Sequence, residues 1–202
     1  MKVALEQLVD RYGLLLTPNF LDDAMCQKII AATHVSDAQA ATIYGYGESA
    51  HVSNGIRKAT RLQLPPATTA FVTNRLLEHK RMIEQHFSLS LNDCEDPQFL
   101  RYEVGDFFVA HQDGNTGLLK LTSDAERKVS IVIFLNAQSE ETDAGTYSGG
   151  SLKFSDYAAQ APYDAFELPV SPGMSVAFRS ELTHEVTSVT RGQRYSIVSW
   201  YR

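Results

Sequence analysis

Residues 98–113 read QFLRYEVGDFFVAHQD, two aromatic and β-branched runs parted by a glycine–aspartate turn and ending in His111, Gln112 and Asp113. In an extended strand successive side chains point to opposite faces, so His111 and Asp113 share a face and Gln112 turns away. An imidazole and a carboxylate offered side by side are two-thirds of a 2-His-1-carboxylate set. Such a set suits non-haem Fe(II) and leaves coordination positions open for chemistry. The third ligand is expected 71 residues after Asp113, where His184 opens the segment HEVTSVTRGQRYSIVSWYR.

Outward from this stretch the second half of the chain is a series of short β-prone runs. FLRYEV, FFVAHQD, RKVSIVIFLN, GGSLKF, AFELPV, SVAFRS, HEVTSV and RYSIVSWY are separated by Gly, Pro, Asp and Ser turns. Eight such runs point to a double-sheet jelly roll, a double-stranded β-helix, or to a related barrel-like sandwich. The first half is different. Residues 4–12 read as an amphipathic helix, 14–20 as a strand interrupted by Pro18, and NFLDDAMCQKIIAAT as a helix capped by Asp22 or Asp23. Residues 35–57 show no period and read as irregular, and 59–64 as a strand closed by Pro65 and Pro66. A long helix over 68–87 is expected to present Phe71, Leu76, Leu77, Met82, Ile83 and His86 as one stripe. The expected class is α+β: one domain over 1–202, with 1–95 a helical support region carrying a few strands and 96–202 the jelly-roll core. The N-terminal helices pack on one sheet.

After the Arg191-Gly192 turn, Arg194, Ser196, Val198 and Trp200 recur at period two and share a face. If this run forms a hairpin with the one His184 opens, a single interior collects His111, Asp113, His184, Arg194 and Ser196, with Tyr102 from a neighbouring strand. A buried guanidinium is costly unless it meets an anion. No inward acidic residue is evident nearby, so the carboxylate of a ligand is the expected partner. Arginine grips such a group through two parallel hydrogen bonds, and Ser196 and Tyr102 can add others.

Composition narrows the function classes. The chain has 202 residues, net charge -6 and pI about 5.5, which argues against a dominant nucleic-acid or anionic-membrane surface. No window is apolar enough to span a bilayer. Glu6, Asp10 and Arg11 interrupt the stretch where a signal peptide would be apolar. Cys26 and Cys94 sit in unrelated contexts, so neither a disulfide framework nor a zinc cluster is expected, and a reducing cytoplasm fits best.

The ordered combination resembles the Fe(II)- and 2-oxoglutarate-dependent dioxygenases, most closely their prolyl 4-hydroxylase-like branch. It comprises Tyr102 ahead of His111-x-Asp113, Phe134-Leu135-Asn136, Gly149-Gly150-x-Leu152, Pro172-Gly173, and His184 followed by Arg194-x-Ser196 and Trp200. The resemblance implies that His111, Asp113 and His184 bind iron, and that Arg194, with Tyr102 and Ser196, binds the far carboxylate of 2-oxoglutarate. It implies O2 as co-substrate, with ascorbate an auxiliary that such enzymes admit. The implied reaction is oxidative decarboxylation of 2-oxoglutarate to succinate and CO2, coupled to hydroxylation of an unactivated C–H bond. Members that halogenate have Gly or Ala in place of Asp113, so hydroxylation is the implied outcome. The expected substrate is a prolyl or other amino-acid residue of a protein or peptide, or an amino-acid-derived small molecule.

Two other readings stand beside it: a non-catalytic sensor of metal or carboxylate on the same fold, and a nucleic-acid demethylase. The latter usually carries a further Arg where this chain has Trp200. Arg191 reads as a solvated turn residue, and Trp200 equally as a pocket wall or a core residue. Residues 42–60 and 114–127 are the expected selectivity loops, and the first reads as a lid. Oligomeric state is not legible.

Overall fold

Parity along the strands decides the architecture. The computed structural model describes residues 2–33, 37–41, 43–44, 50–51, 55–114, 126–141, 143–155 and 165–202. Among the described residues three helices, α1 (Lys2–Tyr12), α2 (Asp23–Thr33) and α3 (Pro66–Phe87), accompany short strands. The strands before α3 are β1 (Leu15–Thr17), β2 (Asp37–Ala40), β3 (Ile43–Tyr44), β4 (Ala50–His51), β5 (Arg57–Lys58) and β6 (Thr60–Gln63). After it come β7 (Gln98–Tyr102), β8 (Phe107–His111), β9 (Val129–Phe134), β10 (Ser148–Gly149), β11 (Leu152–Ser155) and β12 (Phe166–Glu167). The last four are β13 (Ser175–Arg179), β14 (Thr183–Val186), β15 (Val189–Arg191) and β16 (Arg194–Tyr201).

Seven strands form one sheet in the order β1-β13-β9-β16-β7-β6-β2, and five form a second in the order β12-β11-β14-β8-β5. Pairing within both is antiparallel. This is the jelly-roll core expected from the eight runs.

Period-two alternation then sorts the larger sheet into two faces. Ile131, Ile133, Ala177, Tyr195, Ile197 and Tyr201 face the helices and join Ile29, Val72, Leu76 and Ile83 in one apolar cluster. Val132, Phe134, Val176, Phe178, Leu100 and Tyr102 face the smaller sheet and join Leu152, Phe154, Phe166 and Val186 in another. Burying each large aliphatic side chain contributes about 1.5–3 kcal/mol. Helix α1 packs Leu5, Leu8 and Val9 on this second cluster, and its Tyr12 stacks on Phe166 at 6.1 Å.

Local chemistry fixes the helix ends. The Asp22 carboxylate accepts the Met25 N–H at 2.7 Å and caps α2. Pro66 occupies the first position of α3, where its missing N–H costs nothing. That helix ends at Ser88, a left-handed residue whose N–H bonds the Glu84 carbonyl.

Three expectations are corrected. The buried stripe of α3 is Val72, Leu76, Ile83 and Phe87, while Leu77 and Met82 are each 45% exposed. The expected stripe mixed neighbouring faces, because adjacent apolar residues lie about 100° apart on a helix. Residues 37–40 are not irregular: they pair with β6 from Asp37↔Gln63 to Ala40↔Thr60. Their own β-propensity is poor, and the ladder to β6 holds them. Finally, β14 and β16 are not a hairpin, since they belong to different sheets and β15 leaves between them to pair with β10. Of the expected selectivity loops, residues 42, 45–49, 52–54 and 115–125 lie outside the described residues. No helix among the described residues is long and apolar enough to cross a membrane.

Candidate active site

Strands β8 and β14 are neighbours, and His111 and His184 are register partners. The register shifts from His184↔His111 to Val186↔Phe108, two steps against three, an irregularity of the bulge type that re-aims side chains. The two imidazole rings sit 4.2 Å apart, centre to centre. Asp113 lies just past the end of β8. Its N–H and that of Gly114 both donate to the Ser180 carbonyl, at 2.9 and 2.8 Å, which folds the chain back over the histidines. A Cβ at Gly114 would stand 2.8 Å from both the Arg127 carbonyl and the Ser180 Cβ, so this close approach needs glycine.

Each ring nitrogen has one role. His111 Nδ1 donates to the Val109 carbonyl at 2.8 Å, and His184 Nδ1 to that of Leu182 at 3.0 Å. A carbonyl only accepts, so the proton of each neutral ring is on Nδ1 and the Nε2 lone pair is free. Those Nε2 atoms lie 3.4 Å from Asp113 Oδ1 and Oδ2 respectively. The three donor atoms fall within 4.8 Å of one another. Burial, reinforced by His184, pushes the His111 pKa down. Burial pushes Asp113 up, but His184 and His111 outweigh it and hold the carboxyl well below the usual carboxylate range. Two neutral imidazole nitrogens and a carboxylate, converging with other positions free, are a donor set that fits a divalent iron ion.

The surroundings of the set were not read from the sequence. Ser130 Oγ donates to Asp113 Oδ2 at 2.8 Å and lies 2.9 Å from Ser180 Oγ. Phe108 stacks on His111 with ring centres 3.5 Å apart, and the Arg57 guanidinium lies over Phe108 at 4.8 Å. Phe178 meets His184 edge-on at 4.7 Å. Ser130 did carry a signal, being the only polar residue of VSIVIF and sharing parity with inward Val132 and Phe134.

Across the inter-sheet core stands Arg194, 1% exposed. Its guanidinium donates to Ser196 Oγ at 2.8 Å and lies 5.1 and 5.4 Å from the ring centres of Tyr102 and Phe134. Arg194 and Tyr102 are register partners on adjacent strands. Among the described residues no carboxylate pairs with Arg194, and its Nε has no hydrogen-bond partner. An uncompensated buried cation of this kind calls for an anion from outside the chain. The expected set of Tyr102, His111, Asp113, His184, Arg194 and Ser196 is thus brought to one inter-sheet core, by packing of the two sheets rather than by a hairpin.

Two flanking expectations resolve differently. Arg191 is no solvated turn residue: it donates to the Ser139 carbonyl at 2.8 Å and to that of Glu141, tying down the loop before Tyr147. Trp200 is 6% exposed, pairs in register with Ser130, and lies 3.7 Å beneath the Arg127 guanidinium.

Comparison with known proteins bears on this site. Residues 97–202 match the model of the 2OG-Fe(II) oxygenase superfamily. A PKHD-type hydroxylase of Burkholderia ambifaria is 31% identical over 109 residues, 54% of this chain and 43% of the relative. The chain therefore spans less than half the length of that curated relative. Over the whole fold, a Pseudomonas putida prolyl-4-hydroxylase superimposes with TM-score 0.71 at 22% identity, covering 99% of this chain and 98% of the other. A Trichoplax adhaerens prolyl hydroxylase, solved with a hypoxia inducible factor oxygen degradation domain peptide, gives TM-score 0.62 at 15% identity. That match covers 98% of this chain and 86% of the other. The chain belongs to the 2OG-Fe(II) oxygenase superfamily.

Proposed function

We propose that this chain is an Fe(II)- and 2-oxoglutarate-dependent hydroxylase, acting on a prolyl or other amino-acid residue of a peptide or on an amino-acid-derived small molecule. The observation that carries the reading is the pairing of two incomplete sites in one inter-sheet core. One is a convergent His111/Asp113/His184 donor set; the other is a buried Arg194 without an anion. A 2-oxo diacid completes both, one end at the metal and the other at the guanidinium.

In this reading His111 Nε2, His184 Nε2 and one Asp113 oxygen hold iron. Iron so held supplies the redox chemistry that couples conversion of 2-oxoglutarate and O2 to succinate and CO2 with hydroxylation. The protein's share is preparation. The Val109 and Leu182 carbonyls keep protons off both Nε2 atoms, and Ser130 takes up the second carboxylate oxygen. Arg194 neutralises the distal carboxylate, and the Ser196 hydroxyl, already accepting from Arg194, has its own proton to give. Phe108, Phe178 and Phe154 keep the histidines in an apolar wall, where electrostatic contacts are stronger than in water.

The names of the relatives support a prolyl or peptide substrate, and the present Asp113 supports hydroxylation rather than halogenation. We place the whole of 1–202 in one catalytic domain. Free thiols at Cys26 and Cys94, the first with its pKa pushed up to about 11 by burial, support a reducing cytoplasmic setting. The acidic balance supports a substrate other than nucleic acid. The test is succinate release in the presence of Fe(II), 2-oxoglutarate, O2 and proline-containing peptides, with the product's mass followed in parallel. Stoichiometric succinate and a 16 Da gain, one oxygen atom, are expected. Intact iron and 2-oxoglutarate binding without any succinate would replace the hydroxylase by a non-catalytic sensor.

A further inference from the structure

One buried polar group beside Arg194 is unaccounted for by the family pattern read from the sequence. Tyr147, between the Arg191-bound loop and β10, is 1% exposed, and apart from the neighbouring Arg194 guanidinium its hydroxyl has no hydrogen-bond partner among the described residues. The Arg194 guanidinium is its charged neighbour. Gly150 seats both side chains: a Cβ there would stand 3.1 Å from Arg194 Cδ and 3.4 Å from Tyr147 Cε2, and 2.9 Å from Val189 Cγ2. Its φ of +59° adds a second reason for glycine. The arginine stem and the phenol ring therefore share one floor, and two donors without an acceptor among the described residues, the Arg194 Nε–H and the Tyr147 O–H, occur in one small region.

A guanidinium only donates, so the phenol oxygen can accept from Arg194 while its own O–H proton is left without an acceptor among the described residues. The nearest inward aromatics on the large sheet are Phe134, which has no donor, and Tyr102, whose ring lies against the guanidinium. Resting on the function proposed above, we infer that Tyr147 is a second hydrogen-bond donor to the distal carboxylate of the 2-oxo acid, alongside Arg194. The group is suited to donate. Burial pushes its pKa up against the opposing pull of Arg194, so it keeps its proton, and as a neutral donor it adds a bond without adding uncompensated charge.

The test is binding, read by anaerobic calorimetry on the Fe(II)-loaded protein with two probes, 2-oxoglutarate and 2-oxopentanoate, which lacks the distal carboxylate. Tyr147→Phe keeps the ring and removes only the donor. It should weaken 2-oxoglutarate about ten-fold, the effect of losing one hydrogen bond to a charged group. Affinity for 2-oxopentanoate and for Fe(II) alone should stay as in the native protein. Equal weakening of both probes would make Tyr147 a packing residue, and no change with either would remove it from the site. A native protein that holds iron but does not prefer 2-oxoglutarate to 2-oxopentanoate would overturn the functional reading, and this inference with it.

Discussion

The two faces of strand β16 carry the same backbone and opposite kinds of side chain. On the helix side Tyr195, Ile197 and Tyr201 are buried among α2 and α3, and the Tyr201 hydroxyl is satisfied by the Leu76 carbonyl at 2.9 Å. On the inner side Arg194 is as deeply buried, yet its guanidinium keeps an unpartnered Nε and meets no carboxylate among the described residues. One face is closed on itself; the other needs something from outside the chain. The difference teaches how function is written into a packed sheet: stability is concentrated on one parity, and unmet valence is held on the other.

The comparison is sharpened by substitutions that should move stability and ligand binding separately. The largest effect is expected from Ile197→Ala, which opens a cavity between β16 and the helices. It should cost about 2–5 kcal/mol of unfolding free energy in denaturant titration, with 2-oxoglutarate affinity unchanged in the fraction that folds. Next is Arg194→Met, which replaces the cation by an apolar chain. Affinity for 2-oxoglutarate should fall by about 2–4 kcal/mol, while the thermal midpoint stays level or rises because a desolvated charge is gone. A large stability loss in Arg194→Met would break the contrast between the faces.

Ser130→Ala should weaken iron binding by about 10–100-fold, measured by competition with a chelator, because Asp113 loses the bond that orients it. An unchanged affinity would assign the orientation to the Ser180 backbone instead. The smallest effect belongs to the helix side. Burial, with Arg75 adding to it, pushes His79 below its ordinary pKa of 6.5, where it contacts Thr17 at 3.1 Å and Phe20 edge-on. As pH falls below about 6.5 the unfolded chain takes the proton first, so folded stability declines with acid. His79→Gln should flatten that part of the thermal midpoint against pH.

Much of this was legible because it depends on local period. His111 and Asp113, and Arg194 and Ser196, are each two apart, and a strand fixes their faces without knowledge of its neighbours. The cap at Asp22 or Asp23, which the structure assigns to Asp22, and the Pro65-Pro66 break before α3 are equally local. What was not legible depends on partners distant in sequence. Ser130 meets Asp113 through the packing of β9 against the end of β8, and Tyr147 meets Arg194 only because Gly150 lets both approach. The expected hairpin between β14 and β16 failed for the same reason: chain proximity suggested a pairing that the sheets assign to others. Strand β2 was hidden because its residues have low β-propensity and owe their conformation to β6. In α3, the stripe read from the sequence took in Leu77 and Met82 and left out Val72 and Phe87, and only burial separates Leu76 from Leu77.

The central claim is that His111, Asp113, His184 and Arg194 make one site for iron and a 2-oxo diacid. It is tested most directly by anaerobic titration of the metal-free protein with Fe(II) and 2-oxoglutarate, watching for the visible charge-transfer band of the chelate. The account predicts that the band appears only with both additions, is lost in His184→Ala, and in Arg194→Met returns only at higher 2-oxoglutarate concentration. A band indifferent to His184, or no band under clean reducing conditions, would contradict it.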